Sequence, residues 1–90
     1  MTCLSAKDAS YVGAVDVLYV RLGDNNSLSV CHSVEDTPSG ITVMYSADGS
    51  VVGCEVADFL ERYSIPTVIK VDTEKPFELS VEQADGLAVA

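Results

Sequence analysis

The chain has 90 residues, of which 48% are apolar, and it carries a formal net charge of −9 at pH 7. This length fits a single domain over residues 1–90, and the apolar content excludes an intrinsically disordered chain. The acidity disfavours binding to nucleic acid and to anionic membranes, because their phosphate groups would be repelled. A basic protein partner would instead be attracted, although solubility alone is a sufficient reason for the acidity.

Three cysteines stand far apart in the chain, at Cys3, Cys31 and Cys54. They form no C-x-x-C pair, so their spacing excludes a zinc knuckle. The first ten residues, MTCLSAKDAS, lack the apolar segment of a secretory signal. No apolar run approaches the ~20 residues that span a bilayer. A cytoplasmic protein with reduced thiols is the simplest interpretation.

The first half of the chain predicts two strands. Met1 to Ser10 is polar and without periodicity, so we expect it to be flexible. Asp16 to Leu22 is apolar on both faces, which predicts a central strand that is covered on two sides. A turn cluster follows at Gly23 to Asn26. Ser27 to Val34 alternates like a half-exposed antiparallel strand, and Glu35 to Gly40 is predicted to be a loop.

The strongest local signal is a β-hairpin in the middle of the chain. Two apolar runs, Ile41 to Ser46 and Val51 to Val56, flank the pair Asp48-Gly49. This pair is favoured in a type I′ turn, whose two central residues both need a positive φ. The sequence therefore predicts two antiparallel strands joined by a type I′ turn.

A short helix is predicted directly after the hairpin, over Asp58 to Ser64. The apolar residues in this segment recur at helical spacing. Asp58 is a favourable N-cap, and Glu61 follows three residues later, as in a capping box. Pro66 limits the helix to about two turns, because the residue before a proline avoids the helical region.

The C-terminal third predicts further strands. Thr67 to Val71 is rich in β-branched residues, and Phe77 to Val81 alternates apolar and polar side chains. Residues Asp85 to Ala90 are small, and we expect them to be flexible. The predicted fold class is α+β: a small antiparallel β-meander of four strands with a short helix and one or two additional C-terminal strands. Its edge strands predict a homodimer.

Two runs of the sequence carry a family resemblance. They are YVGAVDVLYVRL at Tyr11 to Leu22 and GITVMYSADGSVVGCEVAD at Gly40 to Asp58. Together they resemble the small bacterial family catalogued as domain of unknown function 2283. The matching positions are Tyr11, Asp16, Leu18, Tyr19 and Leu22 in the first run, and Asp48, Gly49, Val51, Val52, Gly53, Glu55 and Asp58 in the second.

This resemblance covers about half of the chain, and it has clear departures. Val12, Ala14, Met44 and Ser46 stand where the family often has acidic residues, so a site built from those acids would be weakened here. The resemblance implies a small antiparallel sheet with a short helix. It carries over no activity, and it suggests an antitoxin-like role by analogy alone.

The sequence offers no combination of residues for catalysis, metal binding or cofactor binding. His32 is the one histidine, and the adjacent Cys31 would point to the opposite face of a strand. These two side chains could therefore not act together as base and nucleophile. The segment around Asp48-Gly49 lacks the regularly spaced oxygen ligands of a calcium loop. We expect no catalytic residue, no metal and no cofactor.

Three charged residues, Asp16, Arg21 and Glu55, mark a possible interaction or ligand surface. Glu55 lies in an apolar strand, where a buried carboxylate would need a partner, and Arg21 could supply it if the two strands are neighbours. A structural ion pair, an exposed sheet face and a general acid–base pair are alternative interpretations. The sequence favours a non-catalytic protein-interaction module that acts as a homodimer. The alternative is a small ligand-binding protein or enzyme whose site lies at a dimer interface.

Overall fold

The computed structural model describes residues 2–6, 8–22 and 31–86. In these residues the chain forms eight strands and one helix. In chain order they are β1 (Thr2–Ser5), β2 (Asp8–Val12), β3 (Val17–Arg21), β4 (Ser33–Asp36), β5 (Ile41–Tyr45), β6 (Val51–Ala57), α1 (Phe59–Arg62), β7 (Thr67–Val71) and β8 (Phe77–Val81).

The strands form two sheets around one hydrophobic core. The larger sheet has five strands in the order β2-β3-β6-β5-β4, and all of its pairings are antiparallel. The smaller sheet has the order β1-β8-β7, with β1 parallel to β8 and β7 antiparallel to it. Buried side chains of both sheets belong to the same cluster, so the two sheets stabilise each other. Its largest fully buried members are Phe59, Leu18, Ile41, Ile69 and Leu79.

The predicted α+β meander of four strands is wrong. The described chain is mostly β structure, and its single helix has four residues rather than two turns. The meander also fails in its connections, because the chain changes sheets between β1 and β2 and again between β6 and β7. Periodicity identifies a strand but not the strand with which it pairs. The two-sheet arrangement therefore could not be read from local patterns.

The N-terminal residues form strands where we expected a flexible segment. β1 pairs with β8, and the following Ala6 N–H donates to the Ser80 carbonyl at 2.9 Å. β2 pairs with β3 and places Ala9 in the core. Short polar segments such as these have little intrinsic preference for the β conformation, and pairing with neighbouring strands stabilises them as strands. The predicted flexible tail is also partly ordered, because Asp85 exchanges backbone hydrogen bonds with Ala9 and Tyr11.

The region before the central hairpin differs from its prediction. The predicted turn at Gly23 to Asn26 and residues 27–30 of the predicted strand lie outside the described residues. The predicted loop from Glu35 begins later than expected, because β4 continues to Asp36 and pairs with β5. The chain reverses at Thr37, whose carbonyl accepts the Gly40 N–H at 3.1 Å.

The central hairpin is confirmed, but its turn is of another type. β5 and β6 are antiparallel neighbours. The Gly49 N–H donates to the Ser46 carbonyl at 3.0 Å, and Gly49 has φ 87°. Asp48 is not among the residues with positive φ, so the pair cannot form a type I′ turn. A turn closed by a left-handed glycine matches the longer hairpin loop with a G1 bulge.

The two C-terminal strands have the predicted bounds. β7 spans Thr67–Val71 and β8 spans Phe77–Val81. The predicted alternation of β8 is confirmed, because its apolar side chains are buried and its polar ones are half-buried. In residues 2–6, 8–22 and 31–86, no helix has the length and apolar character that crossing a membrane requires.

The three thiols differ in their access to solvent, which predicts selective labelling. Cys54 on β6 is fully buried, and this burial raises the pKa of its thiol to about 12, whereas Cys3 and Cys31 are exposed. We expect a thiol reagent at neutral pH to label Cys3 and Cys31 in the native protein and to reach Cys54 only after unfolding. Mass spectrometry of the labelled peptides checks this result.

The same thiol adds a pH dependence to stability. In the unfolded chain it ionises near its ordinary pKa of 9.0, whereas the folded protein retains the proton up to about 12. The contribution of the protonated Cys54 thiol to the free energy of unfolding is therefore complete below pH 9 and is lost as the pH rises from about 9 to 12. A Cys54→Ala variant lacks this decrease of stability with pH. In the labelling experiment, equal rates for all three native thiols would contradict the buried position of Cys54.

Candidate functional site

Asp16 closes the turn between β2 and β3 with φ 53°. Its Oδ1 atom accepts the Tyr11 hydroxyl at 2.7 Å and the Leu60 N–H at 3.0 Å, while its carbonyl accepts the Phe59 N–H at 3.0 Å. The hydrogen bond from Tyr11, followed by that from Leu60, lowers the pKa of the Asp16 carboxyl below its ordinary value. Asp16 is therefore a structural residue that anchors the start of α1 to the large sheet.

The predicted capping by Asp58 is wrong in its chemistry. Asp58 does occupy the N-cap position, but it is left-handed at φ 53° and makes no side-chain cap hydrogen bond. An N-cap side chain reaches the helix from an extended backbone conformation, which Asp58 does not have. The N–H groups of Phe59 and Leu60 instead donate to Asp16, which lies 42 residues earlier in the sequence than Asp58.

Substitution of Asp16 separates its two properties, charge and acceptor geometry. We expect Asp16→Ala to destabilise the protein more than Asp16→Asn. Asparagine retains an acceptor oxygen and tolerates the left-handed conformation, whereas alanine does neither. Urea unfolding at neutral pH measures the difference. Equal losses for the two variants would show that the acceptor on Asp16 is not what holds α1.

The pH dependence of the same variants provides an independent check. Because the folded-state pKa of Asp16 lies below the ordinary 3.8, its ionised form stabilises the protein above that pH. This contribution is lost as the pH falls through the lowered value. We expect the Asp16→Asn variant to lack that part of the acid dependence.

Arg21 lies at the other end of β3 from Asp16. The five residue steps between them correspond to ~16 Å of extended strand. Arg21 pairs in register with Asp8 on β2, and the two side chains form an ion pair. Asp16, Arg21 and Glu55 therefore do not line one cleft within a protomer. An acid–base site formed by all three would need a second chain.

Glu55 lies on the same face of the large sheet as Arg21. It pairs with Tyr19 on β3 and with Thr42 on β5. Tyr19 is two residues from Arg21 on the same strand, so these side chains project to the same side. The structure therefore places Arg21 and Glu55 on one face as diagonal neighbours, and Glu55 is half-buried there.

This surface, which we call the outer face, is the side of the five-stranded sheet that points away from the core. Its cross-strand rows are formed by Asp8, Arg21, Met44 and Val34, by Ser10, Tyr19, Glu55, Thr42 and Asp36, and by Val12 and Val17. Val34 is 61% exposed, Val12 42% and Tyr19 39%. Apolar and aromatic side chains thus stand open to solvent between charged ones.

The exposure of this face differs from the prediction. The sequence predicts that the strand at Asp16 to Leu22 is covered on two sides, because both of its faces are apolar. β3 is indeed an interior strand of its sheet, between β2 and β6, but Tyr19 is exposed. A tyrosine and an arginine on one face of an apolar strand were the available signal, since both residues are enriched at interfaces.

In the described ranges 2–6, 8–22 and 31–86, no group of three or more His, Cys, Asp or Glu side chains is arranged to hold a metal ion. His32 and Cys31 are both exposed. A comparison of the chain with protein-family models, with curated proteins and with solved structures finds no match. The resemblance to domain of unknown function 2283 stays a prediction from its two motifs.

Proposed function

We propose that this protein is a non-catalytic, cytoplasmic interaction module that binds a protein partner through the outer face. One observation carries the proposal: Tyr19 and Val34 are solvent-exposed on a sheet face that also holds Arg21 and Glu55. Aromatic, apolar and arginine side chains within a polar rim are the composition of a protein interface. The core-facing side of the same sheet is already buried, so this composition is not needed for folding.

The charges on and around the outer face favour a basic partner. Arg21 is already paired with Asp8, whereas Glu55 and Asp36 add negative charge to the middle row. The whole chain carries a net charge of −9. Such a surface attracts a basic protein and increases its association rate at low salt. An antitoxin-like role, in which the partner is a basic toxin, is one form of this proposal.

A homodimer is part of the proposal, and it would need more than this face. Five strands about 4.8 Å apart and five residues long cover a footprint of ~400 Å². A stable interface buries about 800 Å² on each partner. We therefore propose that a second copy would also use the edge at β4, because β4 terminates the large sheet and the edge of β2 already bonds Asp85.

The test compares two arginine substitutions in pull-downs from the native host. Tyr19→Arg lies in the centre of the outer face, and Val68→Arg lies on β7 in the other sheet, where the side chain is 54% exposed. We expect one near-stoichiometric basic protein to be retained by the wild type and by Val68→Arg and to be lost with Tyr19→Arg. Retention by all three proteins would place the binding site elsewhere and overturn the proposal.

Light scattering of the same three proteins tests the homodimer separately. We expect Tyr19→Arg to shift the wild-type mass towards that of a monomer and Val68→Arg to leave it unchanged. A monomeric wild type at all concentrations would exclude the homodimer while leaving the partner experiment to decide the interaction module.

A further inference from the structure

A second surface feature, separate from the outer face, is a cleft of about 440 Å³ between the two sheets. It lies at the end of the domain where β1 and β8 meet the β5–β6 hairpin. Its apolar walls include Leu4, Val51, Pro76 and Phe77. A volume of this size falls within the range of small-molecule sites, which combine apolar walls with a few oriented polar groups.

The oriented polar group in this cleft is the carboxylate of Glu35. Glu35 lies on β4 in register with buried Val43, so its side chain points inward from an edge strand. Its Oε1 atom accepts the Tyr45 hydroxyl at 2.8 Å, and its Oε2 atom accepts the Glu74 N–H at 3.1 Å. One donor belongs to the large sheet, and the other precedes β8 in the small sheet. The carboxylate is thus fixed from both sides.

A carboxylate offers about four acceptor positions, so the two hydrogen bonds to Glu35 do not occupy all of them. Tyr45 remains a donor over the physiological range, because burial and the neighbouring Glu35 raise its pKa to about 12. The Glu35 carboxylate is therefore held in one orientation with acceptor positions remaining. A ligand that enters the cleft with an N–H donor group could use those positions.

The charges around the cleft indicate the sign of that ligand. Glu35, Glu74 and Lys75 all line it, so two carboxylates stand against one ammonium group. A ligand with a cationic group is therefore complementary to the Glu35 carboxylate, and an apolar substituent on that ligand is complementary to the apolar walls of the cleft. An anionic ligand would meet the Glu35 carboxylate and be repelled by it.

We propose that the cleft between the sheets binds an organic ammonium ion with a short apolar body, and that Glu35 receives its N–H groups. Such a ligand is a primary amine with an aromatic or branched aliphatic substituent. The ammonium group forms charge-assisted hydrogen bonds with Glu35, while the substituent contacts Phe77 and Val51. This site shares no residue with the outer face, so either proposal can fail without the other.

Glu35 also has a structural explanation, which the experiment must separate from binding. An inward-pointing charge on an edge strand discourages pairing with other chains. In that case Glu35 would serve only as a tether between the sheets, and the cleft would have no preference for cations.

The test is an NMR titration of the ¹⁵N-labelled full chain with three probes of nearly equal shape. They are phenethylamine, the neutral phenethyl alcohol and the anionic phenylacetate. We expect phenethylamine to shift the amide signals of Leu4, Val51, Glu74 and Phe77 in a saturable way. The neutral probe should bind about tenfold more weakly, which corresponds to the ~1.4 kcal/mol of one charge-assisted hydrogen bond. The anion should bind more weakly still.

Substitutions then test the assigned residue. Glu35→Gln should weaken phenethylamine binding about tenfold, and Glu74→Gln should weaken it less while leaving the backbone tether in place. Lys75→Ala should strengthen binding, because it removes the opposing charge. Glu82→Gln is the matched control: Glu82 follows β8 at its other end, is exposed and does not line this cleft.

Three results with the probes and with the Glu35 and Glu74 variants would overturn the proposal. They are an absence of saturable shifts in these amides, equal affinity for the three probes, and an unchanged affinity in both Glu35→Gln and Glu74→Gln. The Glu74→Gln variant keeps the test valid if Glu35→Gln weakens the packing between the two sheets. Lost affinity in Glu82→Gln would also count against it, because a general charge effect would then be the cause.

Discussion

We expect Phe59→Ala to lower the free energy of unfolding by about 3–5 kcal/mol, the range for truncating a buried phenylalanine. Phe59 is the largest fully buried side chain of the described residues. Its ring lies 6.3 Å from that of Tyr11 and 5.8 Å from that of Tyr63, measured between centroids. Removing it leaves a cavity between the large sheet and α1 and also removes both aromatic contacts.

Denaturant unfolding measures this loss, and the neighbouring residue provides the control. Leu60 belongs to the same helix but is 48% exposed, so Leu60→Ala should change stability by less than about 1 kcal/mol. The free energy of unfolding of a small domain is only about 5–15 kcal/mol in total. The remaining stability of Phe59→Ala could therefore be too low to define the folded baseline of the unfolding curve. Phe59→Leu then gives a smaller, measurable loss. Equal effects at positions 59 and 60 would contradict the packing of α1.

The second large effect is expected in the small sheet. Leu79 is fully buried on β8 and lies in register with Leu4 on β1 and Ile69 on β7. Leu79→Ala should lower the free energy of unfolding by about 2–5 kcal/mol. Because both sheets share one core, we expect the whole domain to unfold in a single transition rather than the small sheet alone.

Val68→Ala is the matched control for this variant. Val68 lies on β7 of the same sheet, but its side chain is 54% exposed on the side away from the core. We expect Val68→Ala to lower the free energy of unfolding by less than about 1 kcal/mol. Fluorescence of the tyrosines and far-UV circular dichroism should give coincident curves for Leu79→Ala. Separate transitions would show that the two sheets do not form one cooperative unit.

The three predicted site residues, Asp16, Arg21 and Glu55, were only partly placeable from the sequence. Arg21 and Glu55 lie on neighbouring strands and share one sheet face, a condition that the sequence left open. Asp16 does not join them, because it is used to hold α1. Glu35 was predicted to lie in a loop. Its inward position depends on the pairing of β4 with β5, which no pattern in its own neighbourhood reveals.

By itself, the sequence determined the strands that are rich in apolar and β-branched side chains, at β3, β5, β6, β7 and β8. These residue types favour strands locally, so a short window of sequence is enough to show them. Only the tertiary structure decided the parallel pairing of β1 with β8, the order of the large sheet, the capping of α1 by Asp16 and the exposure of the outer face. Each of these depends on contacts between residues far apart in the chain. Such contacts follow from packing two sheets on one core, and a short window of sequence does not contain them.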